Sequence, residues 1–125
     1  MTTMLIVDDE LDMRMLVRLV IEMANDGLTI VGEAADGAEA IEVWRDLDGP
    51  PVPDVVILDN RMPGLSGMEV AQRLLAERPG QIIVLYSAYL DAEVRAQAAE
   101  LGITTCVSKH ELDRLPDLVR QLTAA

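Results

Sequence analysis

The chain has 125 residues, half of them apolar, with 22 Asp and Glu against 10 Lys and Arg for a net charge of −12. That length suits one domain, and the apolar half is enough to build a core without disulfides or metal staples. The negative balance is the wrong sign for direct nucleic-acid binding, the lone Cys106 can form no internal disulfide, and no apolar stretch approaches the ~20 residues of a membrane span.

The first apolar run is Met4-Leu5-Ile6-Val7, cut off by Asp8-Asp9-Glu10. Nothing basic precedes it, so no signal peptide is expected, and the composition points to a cytoplasmic domain. A helix is predicted from Asp12 to Ala24, stopped by Asn25-Asp26-Gly27. Leu28 to Ala34 reads as a second strand, and Asp36-Gly37 as the turn into a helix from Ala38 to Arg45. The stretch Asp48-Gly49-Pro50-Pro51-Val52-Pro53 cannot be regular structure. Val55-Val56-Ile57-Leu58 is a short, wholly apolar strand. After a loop containing Pro63 and Gly64, Ser66 is a good N-cap for a helix reaching Arg78. Ile82 to Leu85 is a fourth strand, Asp91 to Leu101 a helix ended by Gly102, Ile103 to Val107 a fifth strand, and Asp113 to Leu122 the last helix. Five strands alternating with five helices predict one doubly wound α/β domain over residues 1–125, its parallel sheet covered on both faces.

In such a sheet, ligands sit beyond the carboxyl ends of the strands. The residues just past the apolar runs are Asp8 and Asp9, then Asp59, then Ser87, then Ser108-Lys109. Three carboxylates within about 4–6 Å repel by several kcal/mol at an effective dielectric near 20, so a positive partner is required. Lys109 supplies one charge, and the surplus acid suits Mg²⁺; with no His or Cys in the group, zinc does not fit. The chemistry this supports is phosphoryl transfer to a carboxylate. Asp59 attacks in line, Asp8 and Asp9 hold Mg²⁺, Lys109 pairs with a phosphoryl oxygen and Ser87 donates to another. Singly, each residue has a plainer explanation as a turn, a helix cap or a solvated charge; their coincidence at four strand ends carries the case.

Taken together, Leu5-Ile6-Val7-Asp8-Asp9-Glu10, Asp59-Asn60-Arg61-Met62-Pro63-Gly64-Leu65-Ser66-Gly67, Ser87-Ala88 and Lys109 resemble the receiver domain of bacterial two-component response regulators. The resemblance covers the whole chain and implies flavodoxin-like topology, with Asp59 as phosphoacceptor. Asp8, Asp9, Asp59 and the backbone carbonyl of Arg61 become the metal ligands, while Ser87 and Lys109 contact the phosphoryl group. It also implies a histidine kinase or histidine phosphotransfer protein as donor, and a signalling switch that catalyses its own phosphorylation and dephosphorylation rather than a conventional enzyme. An output domain or protein partner on the 88–110 face, and a homodimer, are the further partners it leaves open. The chain is expected to be either a stand-alone receiver or a piece of a larger regulator.

Two positions depart from the family pattern. Cys106 stands where many receivers carry Tyr or Phe, which puts the usual coupling of hydroxyl residue to ring in doubt; Tyr86 or Tyr89 is the alternative ring, with ordinary packing the plainer reading. His110 follows the lysine in place of proline, so a trans bond or a reshaped loop is expected, with His110 itself exposed. The helix after Ser87 is rich in Ala and weakly anchored, and Arg61 and Tyr89 flank the site. The first helix carries more apolar residues than one buried stripe requires; a broad core contact is the plainer reading, and a docking face for a partner helix, to be tested at Met13 and Val17, is the other. A haloacid-dehalogenase-type phosphatase would need a different order of acidic residues, and a flavodoxin-like binding module would need a flavin loop after the first strand; neither is present.

Overall fold

Val55, Val56, Ile57 and Leu58 carry no group that seeks water, and all four are fully buried in the middle strand of a five-stranded sheet. The computed structural model describes residues 2–24, 27–47, 53–103 and 105–124. The expected turn at Asn25 and Asp26, residues 48–52 of the Pro-rich stretch and Thr104 in the expected fifth strand lie outside them. The strands are β1 (Thr2–Val7), β2 (Leu28–Ala34), β3 (Val55–Asp59), β4 (Ile82–Ser87) and β5 (Thr105–Ser108). Between and after them run α1 (Leu11–Ala24), α2 (Gly37–Asp46), α3 (Gly67–Glu77), α4 (Ala92–Glu100) and α5 (Leu115–Thr123). All neighbouring strands pair in parallel, in the order β2-β1-β3-β4-β5. The chain winds one way from β1 to β2, then the other way from β3 outward, so the switch point lies between β1 and β3. This is the doubly wound, flavodoxin-like fold read from the sequence.

Strand alternation sorts the core into two layers. Leu5, Val7, Val56, Leu58, Ile83 and Leu85 face α2 and α3. Met4, Ile6, Val55, Ile57, Val84 and Tyr86 face α1 and α5. The same period carries Asp8 and Asp59 onto the parity of the second set, one step past its apolar residues.

The boundaries differ from expectation in instructive places. The first strand begins at Thr2, because β2 offers it a partner from Leu28 onward. Asp59 and Ser87 are the last residues of β3 and β4 rather than the first of loops, since Asp59 still pairs with Tyr86 and Ser87 with Ser108. The last helix is preceded by a 3₁₀ segment, Lys109–Arg114, and Pro116 occupies its first turn, where a missing N–H costs nothing. Ser108 caps that segment, its Oγ accepting from the His110 N–H at 3.2 Å, and His110 is exposed as expected.

At Met13 and Val17, α1 follows the plainer of its two readings. Val17 is fully buried and Met13 is partly buried against the core, so neither forms a docking face. The exposed apolar residues are Leu11, Met15, Leu19 and Met23, spaced four apart along one stripe, with Leu16 beside them. α4 shows the weak anchoring expected of it: Ala98 is its one fully buried residue and Val94 is partly buried. No helix among the described residues is long and apolar enough to cross a membrane.

Candidate functional site

At the carboxyl end of β1, Asp8 is fully buried. Its Oδ1 accepts the Glu10 N–H at 2.8 Å, its backbone carbonyl accepts from Arg14 at 2.7 Å, and Arg14 is itself braced by Glu33 at 3.3 Å. This fixes the turn that presents Asp9 and Glu10, both exposed; one carboxylate oxygen from each of the three acids lies within 4.8 Å of the others.

Asp59 ends β3, 1% exposed. The loop after it is held by sterics that only glycine satisfies. A Cβ on Gly67 would sit 2.3 Å from the Asp59 carbonyl oxygen and 2.8 Å from the Asn60 Cα, so α3 can start against the strand end only with glycine there. Gly64, at φ +78°, turns the loop, and α3 opens with a reciprocal cap between Ser66 and Glu69. The Asn60 N–H bonds to the Tyr86 carbonyl at 3.2 Å, tying the loop to β4.

Lys109, the residue just past β5, closes the group. Its ammonium lies 3.2 Å from Asp8 Oδ2 and 3.3 Å from Asp59 Oδ1, with the side chain 13% exposed. Asp59 Oδ1 also accepts the Arg61 N–H at 3.3 Å. Asp59 Oδ2 is buried and has no hydrogen-bond partner among the described residues. Burial above all, and then repulsion from Asp8, push the Asp59 carboxyl up to about 6, against the opposing pull of Lys109 and the Arg61 N–H. Burial lowers Lys109, yet Asp59 and Asp8 outweigh it and leave the ammonium above its ordinary value. With one cation shared by two buried carboxylates and two more acids at the rim, the pocket holds excess negative charge. A set of oxygen donors without His or Cys, with one carboxylate oxygen still unclaimed, fits a hard divalent cation.

Of the residues picked from sequence, Asp8, Asp9, Asp59 and Lys109 meet here. Ser87 is buried beside them, but its hydroxyl is engaged with its own loop, accepting from the Tyr89 N–H and donating to the Tyr89 carbonyl, each at 3.2 Å. Arg61 brackets the loop from outside, its guanidinium 4.9 Å from the centroid of the Tyr89 ring, which is 64% exposed. Cys106 is half-buried against the α2 and α3 layer, where burial raises its thiol while Arg95 opposes.

Sequence reasoning missed the role of Tyr86. Its side chain is fully buried, its hydroxyl donates to Asp8 Oδ2, and Lys109 Nζ lies 5.1 Å from its ring centroid. Burial first, and then the hydrogen bond to Asp8, hold that hydroxyl far above the ordinary tyrosine range, so it stays a donor. Besides packing in the core, as the plainer reading had it, Tyr86 therefore makes a polar contact with the acidic pocket. The sequence carries only its strand parity with Val84; the register that sets Tyr86 against Asp59 comes with the ladder.

A family model for the response regulator receiver domain matches residues 4–120. The protein-glutamate methylesterase/protein-glutamine glutaminase 2 of Burkholderia thailandensis is 36% identical over 119 residues, 94% of this chain and 32% of that protein. A putative transcriptional regulator of Pseudomonas aeruginosa is 38% identical over 111 residues, 89% of this chain and 51% of that protein. The chain thus spans between about a third and about half of these curated relatives. Among solved structures, the response regulator TrrA of Thermotoga maritima, in complex with Mg²⁺ and BeF, is 32% identical with a TM-score of 0.80, over 98% of this chain and 99% of that one. Phosphorylation on an aspartate is characteristic of receiver domains, which bind Mg²⁺ at an acidic site. The fold, the acidic rim and the match over nearly the whole length place the chain in the response regulator receiver domain family, the signalling switches of bacterial two-component systems.

Proposed function

We propose that residues 1–125 act as a cytoplasmic, Mg²⁺-dependent receiver that takes a phosphoryl group on Asp59 from a histidine kinase or histidine phosphotransfer protein. The observation that carries this reading is the state of the Asp59 carboxylate. Oδ1 is pinned by Lys109 and the Arg61 N–H, while Oδ2 is buried and has no partner among the described residues, an oxygen held ready for a bond. In the transfer, Oδ2 attacks phosphorus, the bond from phosphorus to the donor's imidazole nitrogen breaks, and that electron pair returns to the donor. Asp8, Asp9, Asp59 and the Arg61 backbone carbonyl would hold Mg²⁺, which when bound neutralises negative charge on the phosphoryl oxygens. Lys109 follows the new charge from Asp8 to a phosphoryl oxygen. Ser87 turns its hydroxyl off the Tyr89 backbone to donate to another, pulling on the loop that enters α4. Because α4 is anchored chiefly by Ala98 and Val94, it and the 88–110 face are the segments that move, altering contacts with a partner, an output domain or a second copy. Arg61 and Tyr89, stacked at the mouth, set the lifetime of the phosphoryl group.

The donor protein docks on the exposed α1 stripe, which begins at Leu11, three residues past Asp8. A histidine on a helix laid there is carried toward Asp59, and the methionines adapt to its side chains.

Incubation with acetyl phosphate, or with a labelled histidine kinase, in the presence of Mg²⁺ tests the reading. Intact-mass measurement should find a single hydroxylamine-labile phosphoryl adduct, mapped to Asp59 and absent from Asp59→Asn. An adduct elsewhere, or none, overturns it. Beryllofluoride with Mg²⁺ should then shift NMR signals of Ser87 to Glu100 most, beyond the pocket itself, and uniform shifts would remove α4 as the moving part.

A further inference from the structure

Tyr86 is the one aromatic side chain whose polar group meets the acidic pocket directly. It sits on β4, yet its hydroxyl reaches a carboxylate at the end of β1, two strands away across β3. Its ring is fully buried, in the same core layer as Met4, Ile6, Val17, Val84 and Leu115. The hydroxyl therefore has one place to be, unlike the ammonium of Lys109, which hangs on a flexible stem and divides itself between Asp8 and Asp59.

The difference matters for Asp8. A buried carboxylate is oriented by the donors on its oxygens, and losing one of them costs free energy. Oδ1 has the Glu10 N–H, while among the described residues Oδ2 has only Lys109 and Tyr86. When Lys109 is drawn toward a phosphoryl group, Tyr86 is the donor that remains. We propose that Tyr86 is a positioning residue of the cation site: its hydroxyl holds Asp8 in the orientation that serves a divalent ion, whether Lys109 is on Asp8 or has left it. The proposal rests on the reading of the acidic rim as a Mg²⁺ site and adds a residue to it. Groups that orient a metal ligand from behind typically change metal affinity by about 10–100-fold when removed. The ring adds a second effect, because an ammonium about 5 Å from its face is attracted to it and is thereby kept near the pocket.

Tyr86→Phe keeps the ring and removes only the hydroxyl. Binding of Mn²⁺, a paramagnetic substitute for Mg²⁺, is followed by the electron paramagnetic resonance of the free ion, with no phosphodonor present. Affinity should fall by about tenfold, toward the lower end of the range for such partners. In the wild-type NMR spectrum, a downfield hydroxyl proton should mark the bond from Tyr86 to Asp8, lost in Tyr86→Phe and in Asp8→Ala alike. Phosphorylation by acetyl phosphate at saturating Mg²⁺ should fall far less than at low Mg²⁺, a separation that a general loss of packing would not produce. If Tyr86→Phe is less stable, the rise in Tm on adding Mn²⁺ reads the same affinity difference in the folded fraction. Affinity within twofold of wild type overturns the role of Tyr86 while leaving the cation site standing. Failure of wild type to bind Mn²⁺ overturns the cation site itself, and Tyr86 with it.

Discussion

The two ends of the sheet handle polar groups in opposite ways. At the base, where the strands begin, Gln81 is buried and every polar atom of its amide is used. Its Oε1 accepts from Trp44 at 2.9 Å and Arg78 at 3.3 Å, and its Nε2 donates to the Asp54 and Ile82 carbonyls at 3.2 and 3.0 Å. The Arg78 guanidinium lies 4.6 Å from the Trp44 ring centroid, and Asp54 Oδ2 accepts from the backbone and hydroxyl of Thr3. At the rim, two buried carboxylates share one ammonium, and an oxygen of Asp59 has no partner among the described residues. A satisfied buried network rigidifies, whereas an unsatisfied one stores unfavourable free energy that a ligand can release. The base thus serves the fold and the rim serves the chemistry.

Removing the rim's cation should have the largest effect. Lys109→Met leaves Asp8 and Asp59 facing each other without compensation and takes away the donor for the phosphoryl oxygen. The rate of adduct formation with acetyl phosphate should drop by about 10²-fold, measured by intact mass against time at saturating Mg²⁺. A rate within threefold of wild type would mean that the rim does not work through its charge. The matching experiment at the base is Gln81→Leu. It strands the Trp44 N–H in the core and should lower stability by about 2–3 kcal/mol, read from denaturant melts. The phosphorylation rate of the folded protein should stay within about twofold. A loss of rate as large as that from Lys109→Met would erase the division between the two ends.

The sequence showed the rim better than the base, and the reason is physical. An acid directly after four apolar residues, as at Asp8 and Asp59, breaks the strand pattern and announces itself. Gln81 and Trp44 look like ordinary helix and loop residues until the fold brings them together, since they lie 37 positions apart. Tyr86 was hidden for a related reason: a tyrosine inside an apolar strand reads as packing, and only strand order shows that its hydroxyl meets Asp8 two strands away. The excess of apolar residues on α1 was visible, but which of them faced outward was not. Val17 and Met13 fit a helical stripe as well as Met15 and Leu19 do, and only the sheet decides which stripe is covered. The 3₁₀ segment after Lys109 was likewise missed, because its residues Lys109-His110-Glu111 carry no apolar period.

The carboxyl of Asp59 supplies a thermodynamic test of stored repulsion at the rim. In the folded, metal-free protein it holds its proton up to about 6, whereas in the unfolded chain it loses it near 4. Folding therefore binds protons between these values, so stability falls as pH climbs through the window and levels off above it. The penalty at neutral pH is about 1–3 kcal/mol, once the pairing with Lys109 is allowed for. Asp59→Asn removes the charge and should be more stable than wild type at pH 7 by that amount. The two proteins should converge below about pH 4, where Asp59 is protonated in both folded and unfolded wild type. Denaturant melts at a series of pH values, without divalent ions, check this. Adding Mg²⁺ should narrow the gap, because a cation compensates the charge that the substitution deletes. A gap that ignores pH would place the cause in packing instead.

The smallest effects on the fold itself should come from the α1 stripe, which links the two ends. Leu11 lies beside the rim, and Met23 lies at the far end of the helix, just before the chain returns to start β2 at Leu28. Met15→Glu, Leu19→Glu and Met23→Glu all alter exposed positions, and each should change stability by no more than about 0.5 kcal/mol. Val17→Glu, made in the same helix but facing the core, should by contrast fail to fold, because it buries an unpaired charge. With acetyl phosphate as donor, the three exposed variants should match wild type, since a small donor needs no docking surface. With a histidine kinase or phosphotransfer protein the rate should fall most for Met15→Glu, less for Leu19→Glu and least for Met23→Glu, following distance from Asp59 along the helix. Equal losses at all three positions would point to a docking face centred away from the rim, and no loss at any of them would remove α1 as the surface that brings the donor to Asp59.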